Sequence, residues 1–283
     1  MSSAQPAKKR VLVVDDDRTL RHALITLLDA AGFTAIPAAD GAAALVQIRR
    51  DPFDLIILDL GLPRVSGLDV LAEIQKLESP PKVIVVTADD TSSSVLQAIR
   101  DRAHEYIVKP TPPKTILELV ERAFAARSLR PIEVVSCRPE WLELLVPCDL
   151  ETAERIQGFI QKLDAELPDD VRDSIGQAFR ELLMNAIEWG GKLDPNRTVR
   201  IACLRTKQML LYRIADPGPG FSLEQLEHAA ISNKADEPYG HMRLREEKGL
   251  RPCGFGLMMT RTLVDELIWN EAHNEVVFVK YRK

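Results

Sequence analysis

Five short β-branched runs punctuate the first half of this chain and constrain its fold more than any other feature. They are VLVV (11–14), FTAIP (33–37), DLIILD (54–59), KVIVVT (82–87) and EYIV (105–108). The gaps carry helical patterns, such as LRHALITLLDAAG, in which Gly32 is placed to stop a helix. Five strands alternating with five helices predict a parallel sheet covered on both faces, a doubly wound α/β unit. Ligands of such sheets sit at the carboxyl ends of the strands. Asp15, Asp59 and Thr87 all fall at strand ends and are expected to converge there.

The pattern then changes. TILELVERAFAARSL reads as a helix running to about Leu129, and Pro131 breaks it. No low-complexity linker follows. We therefore expect a tail over 1–10, a first domain over 11–130 and a second over 131–283, as suits a chain of 283 residues. The second half reads as α+β. IEVVSC and WLELLVPC are expected as a hairpin or edge strands. ERIQGFIQKL places Ile156, Phe159, Ile160 and Leu163 on one helical face. DVRDSIGQAFRELLMNAIEW repeats this with Ile175, Ala178, Phe179, Leu182 and Ala186. TVRIACL and MLLYRIAD read as strands, a long polar segment follows, a helix begins near Leu257, and EVVFVKY closes as a strand.

Composition narrows the function classes. A net charge of −5 provides no basic footprint for direct nucleic-acid binding. No apolar run approaches the roughly 20 residues that span a bilayer. MSSAQPAKKR lacks the apolar core of a signal peptide, so a cytoplasmic protein without membrane attachment is expected. The four cysteines (Cys137, Cys148, Cys203 and Cys253) show no zinc or C-x-x-C spacing and read as free thiols. Cys253 abuts the GFGL turn, where a redox role stays open beside plain packing.

Asp15, Asp16 and Asp59 would bring three carboxylates into one strand-end pocket. Like charges this close raise each other's pKa unless a counter-ion intervenes. A hard divalent cation prefers oxygen ligands and removes the conflict. Lys109 adds positive charge and Thr87 a hydroxyl, a combination suited to a carboxylate that becomes phosphorylated. VLVVDDD, LIILDLGLPRVSG, VIVVTADD and YIVKP, in this order, resemble the successive motifs of response-regulator receiver domains. The resemblance covers about residues 10–127. It implies that Asp59 is the phosphoacceptor and that Asp15 and Asp16 are the acidic pair, with Asp16 a direct Mg²⁺ ligand. The Gly61 carbonyl would complete the metal shell. Thr87 and Lys109 would be the switch hydroxyl and the lysine, and Tyr106 the rotating aromatic. Arg102 stands where such domains usually carry glycine, and Thr111 where an aromatic is common.

In the second half, ELLMNAIEWG places Glu181, Asn185 and Glu188 within roughly 60° on a helix, beside the apolar stripe. Asn185 offers an uncharged oxygen to a phosphate-bound Mg²⁺, and Glu181 could accept a proton from an attacking hydroxyl. Alone, the pair fits a solvated helix face better than a site. Downstream, Asp216 ends a strand and could accept from an adenine amino group, and Gly218 and Gly220 permit close backbone approach. Gly254, Phe255 and Gly256 open a helix at Leu257 whose free N–H groups suit phosphates. The polar stretch from Ser222 to Cys253, with Lys234, His241, Arg243, Arg245, Lys248 and Arg251, fits a lid or a solvated loop.

ELLMNAIEWG, DPGPGF and GFGL together resemble the N, G1 and G2 boxes of GHKL-type ATPases, over about residues 132–283. Among these the chain looks most like the anti-sigma-factor serine/threonine kinases. The resemblance implies a GHKL two-layer α+β sandwich behind the α/β receiver. It also implies that Asn185 binds Mg²⁺, that Glu181 is the catalytic base and that Asp216 contacts adenine. Gly218, Gly220, Gly254, Phe255, Gly256 and Leu257 would frame ATP. Trp189, Pro219 and Cys253 depart from the usual pattern. None of His22, His104, His228, His241 and His273 lies on an acceptor helix pair between the domains, which disfavours a histidine kinase.

The expected function is a signalling protein in which phosphorylation of Asp59 regulates an ATP-dependent serine/threonine kinase domain. Its phosphodonor would be an upstream sensor histidine kinase. Its substrate would be a small protein such as an anti-sigma-factor antagonist, with a sigma factor as competing partner. Homodimerisation is left open. The alternative is a non-enzymatic, ATP-gated partner-binding module.

Overall fold

The computed structural model describes residues 8–125, 130–221 and 256–282. The chain divides into two compact units, Met1–Ser128 and Leu129–Lys283.

The first unit runs β1 (Arg10–Val14), α1 (Arg18–Ala30), β2 (Thr34–Ala38), α2 (Gly41–Arg50), β3 (Leu55–Leu58), α3 (Gly67–Ile74), β4 (Lys82–Thr87), α4 (Ser92–Arg100), β5 (Glu105–Val108) and α5 (Pro113–Ala125). Its 5-stranded sheet is parallel throughout, in the order β2-β1-β3-β4-β5. Pro37 is tolerated because β2 is an edge strand, where a missing N–H costs no interior ladder bond. The inner strands are buried on both faces, as Val11–Val14 and Leu55–Leu58 show. Helices α1 and α5 cover one face through Leu24, Leu28, Ile116 and Val120. Side-chain caps start the helices: Asp17 accepts from the Thr19 and Leu20 amides, and Asp40, Ser66 and Thr91 act likewise. Such caps contribute about 1 kcal/mol each.

The second unit runs β6 (Glu133–Cys137), β7 (Trp141–Pro147), α6 (Leu150–Leu163), α7 (Asp169–Asn185), β8 (Thr198–Arg205), β9 (Met209–Ala215), α8 (Gly256–Leu263), β10 (Glu266–Trp269) and β11 (Glu275–Tyr281). The 6-stranded sheet is antiparallel, in the order β10-β11-β9-β8-β7-β6. β6 and β7 form the expected hairpin, with β6 at the edge. Alternate residues point inward, including Leu144, Ile201, Ile214 and Val276, which align across four neighbouring strands. Tyr212 lies between Phe179 of α7 and Phe278 of β11, at ring distances of 5.7 and 4.9 Å. Its hydroxyl donates to buried Asp164, which Arg205 also binds. Each polar group there is paired, which buried charges require.

One expected element is corrected. The helix predicted through Trp189 keeps α-helical geometry only to Asn185, and Ala186–Gly190 widens into a π turn. The reason is packing. Gly190 lies against the Asp216 side chain and Gly191 against Cys148, so the chain swells where two glycines let neighbours approach. Glu188 therefore leaves the 100° register with Glu181 and Asn185. Among the described residues no helix is long and apolar enough to cross a membrane.

Candidate functional site

In the first unit the parallel ladder brings the strand ends to one level. The Asp59 amide donates to Val14 O at 2.9 Å, and the Lys109 amide to Thr87 O at 2.7 Å. Asp15, Asp59 and Thr87 are buried, and Asp16 is exposed. The carboxylate oxygens of Asp15, Asp16 and Asp59 lie within 4.8 Å of one another. Lys109 Nζ spans the pocket, donating to Asp15 Oδ2 at 2.9 Å and Asp59 Oδ2 at 2.6 Å. The amides of Asp17 and Gly61 donate to the other oxygens of Asp15 and Asp59, at 2.9 and 3.0 Å.

Burial raises the Asp15 pKa, and the neighbouring Asp59 charge adds to this. Lys109 and the Asp17 amide do not bring it back down. Burial works to lower the Lys109 pKa, but its bonds to Asp15 and Asp59 outweigh that, and the net shift is upward. The pocket therefore holds more negative charge than its one lysine neutralises. The donor set, all oxygen and partly buried, fits a hard divalent cation such as Mg²⁺. Asp15, Asp16 and Asp59 are the side chains that could hold it.

Thr87 Oγ1 accepts from the Asp89 amide at 3.2 Å. Tyr106 is fully buried; its hydroxyl donates to Asp89 O at 2.6 Å, and burial pushes its pKa up. Arg102 adopts φ 54°, a left-handed conformation natural to the glycine it replaces. Thr111 Oγ1 donates to Val108 O at 2.8 Å. The sequence reading gave Gly67 no role. A Cβ there would stand 2.1 Å from the Asp59 carbonyl, so only glycine lets α3 start directly behind Asp59. Its place in the LIILDLGLPRVSG motif was the available signal.

In the second unit, Glu181 and Asn185 lie one turn apart on α7, both half-buried. Gly256, the first residue of α8, faces Glu181, and a Cβ there would stand 2.3 Å from Glu181 Oε2. The Thr260 hydroxyl donates to Gly256 O at 2.8 Å and is itself buried. A polar groove of about 650 Å³ runs between α6 and α7 past Gln161, Arg172, Gly176 and Arg180 to Glu181. Leu257 is half-buried on α8. Gly254, Phe255 and the polar stretch from Ser222 to Cys253 lie outside the described residues.

Asp216 directly follows β9. Its amide donates to Asn274 O at 2.8 Å, and its Oδ1 accepts from the Gly218 amide at 2.7 Å. Burial raises its pKa, opposed by the Gly218 amide and the Arg197 charge. A Cβ on Gly190 would meet Asp216 Oδ1 at 2.2 Å, and one on Gly218 would meet Gly190 Cα at 3.0 Å. The π turn and the DPGPGF turn therefore interlock through their glycines.

Gly218 and Gly220, expected to permit close backbone approach of a nucleotide, are also closely packed within the chain. Gly218 is pressed against Asp216 and Gly190. Gly220 has φ 86° and would place a Cβ 1.7 Å from Ala272 O. Both glycines answer first to the chain's own packing. Sequence reasoning also missed Gly190, Arg197, which donates to Pro217 O, and Asn274, whose Nδ2 donates to Gly218 O at 2.9 Å. Arg197 and Asn274 lie outside any motif and left no signal.

Comparison with known proteins fits this geometry. Residues 11–121 match the family model of the response regulator receiver domain. The chain is 30% identical over 184 residues, 65% of its length, to the DNA-binding response regulator MtrA of Mycolicibacterium paratuberculosis, and covers 80% of that protein. The chain belongs to the response-regulator family. It is 32% identical over 115 residues, 40% of its length, to the chemotaxis protein CheY of Thermotoga maritima, covering 96% of it. Among solved structures it is similar to the Thermotoga maritima response regulator TrrA in complex with Mg(2+)-BeF. The identity is 36%, over 40% of this chain and 97% of that one, with a TM-score of 0.37. Residues 146–280 of this response regulator match the histidine kinase-like ATPase domain. The protein is thus a receiver domain followed by a GHKL-type ATPase domain.

Proposed function

We propose that this response regulator is a cytoplasmic signalling protein phosphorylated on Asp59, and that this phosphorylation controls an ATP-dependent serine/threonine protein kinase in residues 131–283. The observation that carries the first half is the Asp15–Lys109–Asp59 bridge, a lysine ammonium held between two buried carboxylates. An Asp59 oxygen attacks the phosphorus of a phosphohistidine on an upstream sensor kinase, the P–N bond breaks, and the imidazole leaves. Lys109, already 2.6 Å from Asp59, turns its ammonium to a phosphoryl oxygen, and the Thr87 hydroxyl donates to another. Asp15, Asp16, Asp59 and the Gly61 carbonyl would hold a divalent cation, which would supply further charge neutralisation at those oxygens.

For the second half, the support is Glu181, set against the first residue of α8 and one turn from Asn185. Glu181 takes the proton of a serine or threonine hydroxyl as its oxygen attacks the γ-phosphorus and ADP leaves. Asn185 would hold, through its side-chain oxygen, the Mg²⁺ that accompanies ATP. Catalysis of this kind is mostly positioning and electrostatics. The groove that Glu181 helps to line supports entry of a protein segment there, for which a small anti-sigma-factor antagonist is the fitting substrate class, with a sigma factor as competing partner.

Incubation with labelled ATP and candidate partners tests the reading. Label on a partner serine or threonine that is lost in Glu181→Gln supports it. Tight ATP binding with no label on any protein replaces it with a non-enzymatic, ATP-gated binding module.

A further inference from the structure

The hairpin loop joining β10 to β11 grips the DPGPGF turn from below. The Asn274 carbonyl accepts the Asp216 amide, and the Asn274 side-chain amide donates to Gly218 O, 56 residues away. Ala272 O accepts the Phe221 amide at 3.1 Å, and the Phe221 ring rests 5.2 Å from His273 and 5.4 Å from Trp269. Asn274 itself is held by Asn270. Asn270 Nδ2 donates to Asn274 Oδ1 at 2.7 Å, and Asn270 Oδ1 accepts the amides of Asn274 and Glu275 at 3.1 and 3.2 Å. With its oxygen occupied, the Asn274 amide has only its nitrogen to offer Gly218. Closing the hairpin accounts for Asn270. It does not account for the Asn274 Nδ2 bond, which leaves the hairpin altogether.

That bond bears on Asp216. Gly218 is the residue whose amide holds Asp216 Oδ1, so anchoring Gly218 by its carbonyl fixes one carboxylate oxygen. The Asp216 main chain is fixed by the same Asn274. Among the described residues, Oδ2 has no hydrogen-bond partner and is the oxygen left for a ligand. A carboxylate can accept from the adenine 6-amino group, whereas guanine presents an acceptor at that position. Guanine does offer donors elsewhere on the same edge, so a carboxylate free to shift can read either base. Discrimination then depends on how firmly the carboxylate is placed.

We propose that Asn274, oriented by Asn270, is the positioning residue that gives the ATPase domain its preference for adenine over guanine nucleotides. The inference rests on the reading of Asp216 as the base contact. Its test is calorimetric titration of the full-length protein with Mg·ATP and with Mg·GTP. Asn274→Asp keeps the shape and sets an acceptor against Gly218 O. It should narrow the ATP-to-GTP affinity ratio by about tenfold or more, the loss expected when a buried acceptor is left unpaired. Asn274→Ala, which adds no charge, covers the case in which the aspartate variant fails to fold, and should narrow the ratio in the same direction. An unchanged ratio in the folded variants, including equal weakening of both nucleotides, would overturn the inference and leave Asn274 a structural residue. Wild-type protein that binds neither nucleotide would overturn the ATP reading itself, a distinct failure.

Discussion

The two candidate sites are built in opposite ways. In the receiver unit every group lies within a residue or two of a strand end, and the parallel ladder brings Lys109 within 2.6 and 2.9 Å of Asp59 and Asp15. In the ATPase unit the groups come from a helix, a turn and a hairpin loop, and glycines set how closely these meet. The first site is a consequence of topology and the second a consequence of fit. A strand-end pocket should tolerate changes around it but not the loss of a member. An interlocked pocket should fail when a neighbour gains a single methyl group.

The largest expected effect tests the first half of that contrast. Asp59→Asn should abolish labelling by acetyl phosphate, and undiminished labelling would mean that the acceptor lies elsewhere. Next comes the cation. Because the Asp15 pKa is raised, its carboxyl contributes stability below its unfolded pKa and loses it as pH rises through the folded value. Mg²⁺ favours the ionised form, so its stabilisation should grow as pH rises from the acid range to neutrality. At a hundredfold excess over Kd it should reach about 2.7 kcal/mol. Thermal midpoints with and without Mg²⁺ check this, and a shift that shrinks toward neutral pH contradicts the charge argument.

Two smaller effects sharpen the comparison. Gly218→Ala sets a Cβ 2.8 Å from Asp216 Oδ1 and 3.0 Å from Gly190 Cα, so the carboxylate must shift while the Gly190 backbone blocks the other side. Mg·ATP affinity should fall about tenfold, or roughly 1.4 kcal/mol. Unchanged affinity by calorimetry would show that the turns do not need to interlock. The smallest effect is Arg102→Gly, which removes a left-handed side-chain conformation and should stabilise the receiver unit by about 1 kcal/mol. Chemical denaturation measures it, and a loss of stability would mean that Arg102 makes contacts worth more than its strain.

Legibility followed the same divide. The alternating runs predict the parallel sheet because each strand and its helix are neighbours in sequence. Asp15, Asp16, Asp59, Thr87 and Lys109 stand at the ends of those runs, and the structure brings the three acids and the lysine together. In the second half the helical face of Ile175, Phe179 and Leu182 was equally readable. The π turn was not, since a reading at 100° per residue carries an α-helix straight through Ala186–Gly190. Its cause lies at Asp216 and Cys148, far along the chain.

By itself, then, the order of residues determined which elements form and which chemical groups stand at their ends, because hydrophobic period, caps and breakers act over a few residues. Only the tertiary structure decided what those groups meet. The antiparallel pairing of β9 with β11 delivers Asn274 to Gly218 and Ala272 to Gly220. No local rule connects residues that far apart; their contact exists only once the sheet has closed.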